Sequence, residues 1–188
     1  MLRLLTILLL ITLPALAGDC PAKVRIVSGN FSDDLAGQPD TRPGTWGTAG
    51  VAYHPVAFHP PAGCAVKILS ISGDVVAWIR DYSYGQAGVL VGIHRQMWGG
   101  KNPWAACDYC SEDTPFYRQM AVSEKPETTT FDHAYRAGWL VGPDNTLWFK
   151  HAVWLNDTGQ PVHLETTWTI EFQWTPAPVI PVRQGLKR

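Results

Sequence analysis

From Val162 to Trp174 the chain alternates without a break. Val162, Leu164, Thr166, Trp168, Ile170, Phe172 and Trp174 fall on one side, and His163, Glu165, Thr167, Thr169, Glu171 and Gln173 on the other. Successive side chains leave a pleated strand on opposite faces, so a period of two with one apolar side predicts a half-buried β-strand. Nine further segments read as strands: Lys23–Val27, Val51–Phe58, Ala65–Ile71, Val75–Arg80, Gly88–His94, Phe116–Val122, Thr128–Asp132, Gly138–Val141 and Leu147–Leu155. Turn signals separate most of them, including Pro60-Pro61-Ala62-Gly63, Ser72-Gly73-Asp74, Gly142-Pro143-Asp144-Asn145 and Asn156-Asp157-Thr158-Gly159. No segment carries a helical period. The expectation is an all-β, antiparallel β-sandwich, jelly-roll-like in its strand spacing. The polar, Gly/Pro-rich segment Ser28–Gly50 reads as a long loop.

The last two strands invite a finer prediction. A four-residue loop at Asn156–Gly159 sets Val153 opposite Val162, His151 opposite Leu164, Phe149 opposite Thr166 and Leu147 opposite Trp168, all on the apolar face, with Lys150 beside Glu165 on the other. Slipping by one residue would pair His151 with His163 but set Phe149 against Glu165, which the burial of large side chains disfavours. The predicted hairpin therefore keeps His151 and His163 on opposite faces, without a shared ligand.

The N-terminus places this sandwich outside the cytoplasm. Arg3, an apolar run from Leu4 to Leu13 and Ala15-Leu16-Ala17 have the layout of a cleaved signal peptide over residues 1–17. The run is too short to span a bilayer, which takes about 20 residues. Asp19 directly before Cys20 argues against a lipid-anchoring motif. The expected product is a secreted or periplasmic chain with one domain over 18–175, a Pro-rich, weakly ordered tail over 176–188 and no transmembrane segment. Its formal charge of −1, which becomes −2 once Arg3 is removed, lacks the basic excess of a nucleic-acid binder.

Four cysteines after a signal peptide predict disulfides, and Cys20–Cys64 with Cys107–Cys110 is the favoured pairing among three. The Cys107-Asp108-Tyr109-Cys110 spacing also occurs in thiol oxidoreductases and zinc sites. Its Pro- and acid-rich flanks predict a loop, and no second CxxC or HxxxH completes a zinc set. The six histidines contain no HxH pair, and His54 and His59, at an odd separation, would leave an unbroken strand on opposite faces. No metal site and no cofactor are expected on local spacing; only a set gathered from distant strands stays open. Nucleophile-elbow, Walker and dinucleotide motifs are absent.

The segment Gln96–Tyr117 concentrates Met97, Trp98, Trp104, Tyr109, Phe116 and Tyr117 around glycines and the CxxC. Aromatic side chains on a stapled loop make a recognition surface, since Trp and Tyr offer large amphipathic faces at low entropic cost. Trp98, Trp104, Tyr109 and Tyr117 are the candidate ligand-binding residues of a non-catalytic binding or adhesion module, with an extracellular glycan or protein as partner and glycan the first choice. An extracellular hydrolase or metal-dependent oxidoreductase with a dispersed site is one alternative. A structural subunit of an envelope or extracellular assembly is another.

Overall fold

A computed structural model describes residues 19–36, 50–80, 85–96, 110–154 and 160–179, with the side chains of 96, 110–112 and 154 left aside. Eight strands follow in order: β1 (Arg25–Leu35), β2 (Gly50–Ala57), β3 (Cys64–Trp78), β4 (Gly85–Gln96), β5 (Cys110–Val122), β6 (Glu127–Leu140), β7 (Thr146–Trp154) and β8 (Val162–Pro176). They form two four-stranded antiparallel sheets, β1-β8-β3-β6 and β2-β7-β4-β5. This order, in which consecutive strands often cross between sheets, is that of an eight-stranded jelly roll, and it bears out the expected class.

The long alternating segment is β8, lying between β1 and β3. Its apolar side enters the core: Val162, Leu164, Trp168, Ile170, Phe172 and Trp174 are all buried. Each such side chain contributes roughly 1.5–3 kcal/mol on burial. Facing them from the other sheet are Val89, Val91, Ile93, Leu147, Phe149 and Val153, also buried. Phe149 and Trp168 stack across the gap with ring centroids 5.1 Å apart.

Three sequence expectations give way here. The β7–β8 hairpin does not form: β7 pairs with β2 and β4, whereas β8 pairs with β1 and β3. The residues expected to share an apolar face do share the core, but from opposite sheets. Alternation reports which side of a strand is buried and says nothing about which strand lies alongside. Lys150 accordingly sits opposite Tyr53 and Gly92 in the ladders, and Glu165 opposite Ser32 and Val76. Second, Ser72-Gly73-Asp74 is not a turn but the middle of the continuous strand β3. A Cβ at Gly73 would come within 1.9 Å of the Thr167 carbonyl oxygen, so glycine is there to admit the backbone of β8. Likewise the separate segments Thr128–Asp132 and Gly138–Val141 merge into β6, with an irregularity opposite Ile68–Ser70 that contains Gly138 at φ +70°.

Third, the first part of the supposed loop Ser28–Gly50, up to Leu35, is strand and belongs to β1. Its inward side carries Val27, Gly29, Phe31, Asp33 and Leu35, in which a glycine and an aspartate interrupt the apolar series. At Gly29 a Cβ would meet the Trp168 indole at 2.5 Å, so the missing side chain makes room for the ring.

The Cys20–Cys64 disulfide forms, tying the segment before β1 to the start of β3. Closing a loop of 44 residues corresponds to about 4 kcal/mol in the chain-entropy treatment. No helix among the described residues is long and apolar enough to cross a membrane. The expected signal peptide over 1–17, Cys107 and the Cys110 side chain, and the tail from 180 onward lie outside the described residues.

Candidate functional sites on one edge strand

Four consecutive residues of β1, Phe31-Ser32-Asp33-Asp34, organise two polar clusters. The pleat sends Phe31 and Asp33 inward and Ser32 and Asp34 outward. Adjacent carboxylates thus serve opposite faces of the same sheet.

On the inner side, Asp33 reaches two histidines contributed by the opposite sheet. Its Oδ2 lies 2.6 Å from His54 Nε2 on β2 and 2.6 Å from His151 Nδ1 on β7. His151 is fully buried, while the side chains of His54 and Asp33 retain 22% and 16% exposure, so the cluster opens to solvent along the β1–β2 edge of the sandwich. Phe31 stacks on His54, with centroids 4.4 Å apart and planes 11° from parallel, and the same ring packs on Trp168 and Phe149. Burial pushes the His151 pKa down to about 4, outweighing the hydrogen bond and charge of Asp33, which act upward. The ring is therefore neutral at pH 7, and its Nε2 is buried without a hydrogen-bond partner. Among the described residues no lysine or arginine pairs with Asp33.

On the outer side, His163 of β8 stands opposite Asp34 in the ladder. Its Nδ1 is 2.8 Å from Asp34 Oδ1 and its Nε2 is 3.0 Å from Ser32 Oγ. The Trp78 ring of β3 packs on the imidazole with centroids 3.8 Å apart. Asp34, Trp78, Arg80, Gln160, Pro161 and His163 line a pocket of about 400 Å³ where β1, β3 and β8 end.

A third cluster lies around the β6 irregularity. Tyr135 stacks on Trp139, Arg95 lies 4.6 Å above the Trp139 ring and bonds the Leu140 carbonyl, and His133 sits 3.3 Å from Asp113. Burial, then the nearby Asp113 charge, pushes the Tyr135 phenol well above its ordinary range. No hydrogen bond of normal geometry reaches that phenol oxygen, so the proximity of Asp113 acts chiefly through its charge. The cluster braces β4 against β6.

Of the residues singled out from sequence, Trp98, Trp104 and Tyr109 lie outside the described residues. Tyr117 is on β5, 53% exposed, and belongs to the sheet opposite the outer pocket. The C-terminal part of the supposed aromatic loop is strand, and Phe116 beside Tyr117 is core. His59 lies beyond the end of β2 and is exposed. His151 and His163 are separated, as expected, but because they belong to different sheets. Sequence reasoning missed Asp33, Asp34, Ser32 and Trp78. The usable signal was the alternation of Val27, Phe31 and Leu35, which identifies Asp33 as an inward carboxylate.

Together these features define an eight-stranded jelly roll with a His–Asp–His cluster between its sheets and an aromatic-polar pocket on one outer face. No protein-family model matches the chain, and no curated protein matches it. Solved structures similar to it include the tobacco streak virus coat protein (14% identity over 89% of this chain and 97% of that one, TM-score 0.29). A xylan-binding CBM22-1 domain of Paenibacillus barcinonensis Xyn10C is similar at 14% identity over 79% and 95%, TM-score 0.31. The Desmodium yellow mottle tymovirus structure is similar at 11% identity over 90% and 96%, TM-score 0.29. At such scores none bears on function, and the fold class rests on the strand order itself.

Proposed function

We propose that this chain is an extracytoplasmic, non-catalytic binding module that takes a glycan in the pocket at Trp78 and His163. The supporting observation is the lining of that pocket. An indole offers its face to the C–H side of a sugar ring, and Asp34, Arg80 and Gln160 offer planar donors and acceptors to hydroxyl groups. The Cys20–Cys64 disulfide suits an oxidising compartment. Trp98, Trp104 and Tyr109, with exposed Tyr117, are retained as a second recognition surface of the same module.

A specific geometry favours one other reading. Ser32 Oγ, His163 and Asp34 form a continuous hydrogen-bonded relay of the kind that activates a serine nucleophile. Against it, the Asp34 side chain is 74% exposed, and water screens the charge that would stabilise an imidazolium. Binding is therefore the stronger reading.

One panel tests both. Trp78→Ala and Arg80→Ala should each weaken binding to immobilised polysaccharides at least tenfold, with the circular dichroism spectrum and thermal midpoint unchanged. Trp98→Ala/Trp104→Ala measures the share of the second surface. Ester turnover or fluorophosphonate labelling that Ser32→Ala abolishes would replace the binding reading with a hydrolase. Wild-type protein that retains no polysaccharide would refute the choice of ligand.

A further inference from the structure

We infer that Asp33, His54 and His151 form a binding site for one divalent transition-metal ion, with zinc(II) the representative ion. The inference does not depend on the outer-face pocket or on its ligand. One ligand atom from each of the three residues can be chosen so that all lie within 4.8 Å of one another. Two imidazole nitrogens and a carboxylate oxygen are the donors that zinc(II), copper(II) and iron(II) accept, whereas magnesium and calcium take oxygen.

Charge points the same way. Asp33 is mostly buried between two imidazole rings, and no lysine or arginine among the described residues pairs with it. A buried carboxylate without a counter-ion is costly, and a cation between the three groups removes that cost. The surroundings also fix the ligands in place: Phe31 stacks on His54, and His151 is enclosed by the core. Such orientation by neighbours is what a metal site needs before the ion arrives. The partial exposure of His54 and Asp33 gives the ion a way in.

Coordination changes the two Asp33 contacts. Ligand atoms about 2.0–2.1 Å from a tetrahedral zinc are about 3.3 Å from one another. The contacts of Asp33 Oδ2 with the two nitrogens, now 2.6 Å each, have to lengthen by less than 1 Å apiece. Each ring coordinates through the lone pair of its bonding nitrogen, so a proton carried on that nitrogen leaves it, either for the other nitrogen of the same ring or for solvent. Three protein ligands leave a fourth position for a water or a ligand group.

The test uses tag-free protein stripped with EDTA and titrated with zinc chloride alone by calorimetry, with metal content measured after gel filtration. We expect one equivalent bound with a micromolar or lower Kd at pH 7.5, and no heat with magnesium. Asp33→Asn and His54→Gln should each weaken zinc at least tenfold, and His163→Gln should leave it unchanged. X-ray absorption on the zinc-loaded wild type should count two imidazoles, a readout that holds even if a variant fails to fold. Folded wild-type protein that retains no stoichiometric zinc, zinc affinity indifferent to Asp33→Asn and His54→Gln in folded variants, or a spectrum without two imidazoles would overturn the site.

Discussion

His151 shows how one buried side chain makes the stability of the whole fold depend on pH. In the metal-free chain its folded pKa is about 4, against 6.5 for an unperturbed imidazole, because burial disfavours the charged ring. Between those values the unfolded chain takes up a proton that the folded chain refuses. Stability from this residue is therefore complete above pH 6.5, declines as the pH falls toward 4, and declines no further below that. The interval corresponds to about 3 kcal/mol. In urea denaturation with EDTA present, the stability advantage of wild type over His151→Gln should shrink by about that amount between pH 7 and pH 4. A constant difference would mean that His151 is protonated as readily in the fold as out of it. None of this was legible from the sequence, where His151 is one apolar-side residue of an alternating strand. Its partner Asp33 was hidden inside a polar stretch whose glycine and aspartate break the hydrophobic series.

At the scale of the element, β3 and β8 teach the same lesson from two directions. The alternation of β8 made that strand readable at once, because every second residue is committed to the core. β3 was divided in two because Ser-Gly-Asp is turn chemistry in most settings. What overrides it is tertiary: Gly73 faces Trp168 across a ladder so close that a methyl group would overlap the Thr167 carbonyl. Gly73→Ala should therefore cost about 3 kcal/mol or more, beyond the usual range for overpacking, since the obstacle is backbone. For a chain of this size that lowers the thermal midpoint by about 6–12 °C. An unchanged midpoint would show that β8 gives way. β2 makes the complementary point: it accommodates Pro55 because, among the described strands, it is an edge strand bonded to β7.

For the molecule as a whole, the antiparallel class and the identity of most core side chains were readable, whereas ten expected strands became eight because two pairs merged into β3 and β6. Which strands lie together was not. A jelly roll sends most consecutive strands to different sheets, so β7 and β8, 7 residues apart, face one another across the core instead of lying side by side. Both candidate sites depend on that crossing. The inner cluster needs β1 from one sheet and β2 and β7 from the other; the outer pocket needs the ends of β1, β3 and β8. Spacing along the chain carries no trace of either, since His54 and Asp33 are 21 residues apart and His151 and Asp33 are 118.

Asp33 also joins what the ladders leave separate. Among the described residues β1 is the last strand of its sheet and β2 the last strand of the other, so neither has a strand on both sides. Edge strands open readily and offer their free backbone to other chains. Here a single carboxylate fastens both margins and the strand behind one of them. Amide hydrogen exchange should reveal the fastening. Peptides covering Phe31–Leu35 should exchange nearly as slowly as those from β8. Asp33→Ala should speed exchange in β1 and β2 together; acceleration confined to β1 would mean that the two margins breathe independently.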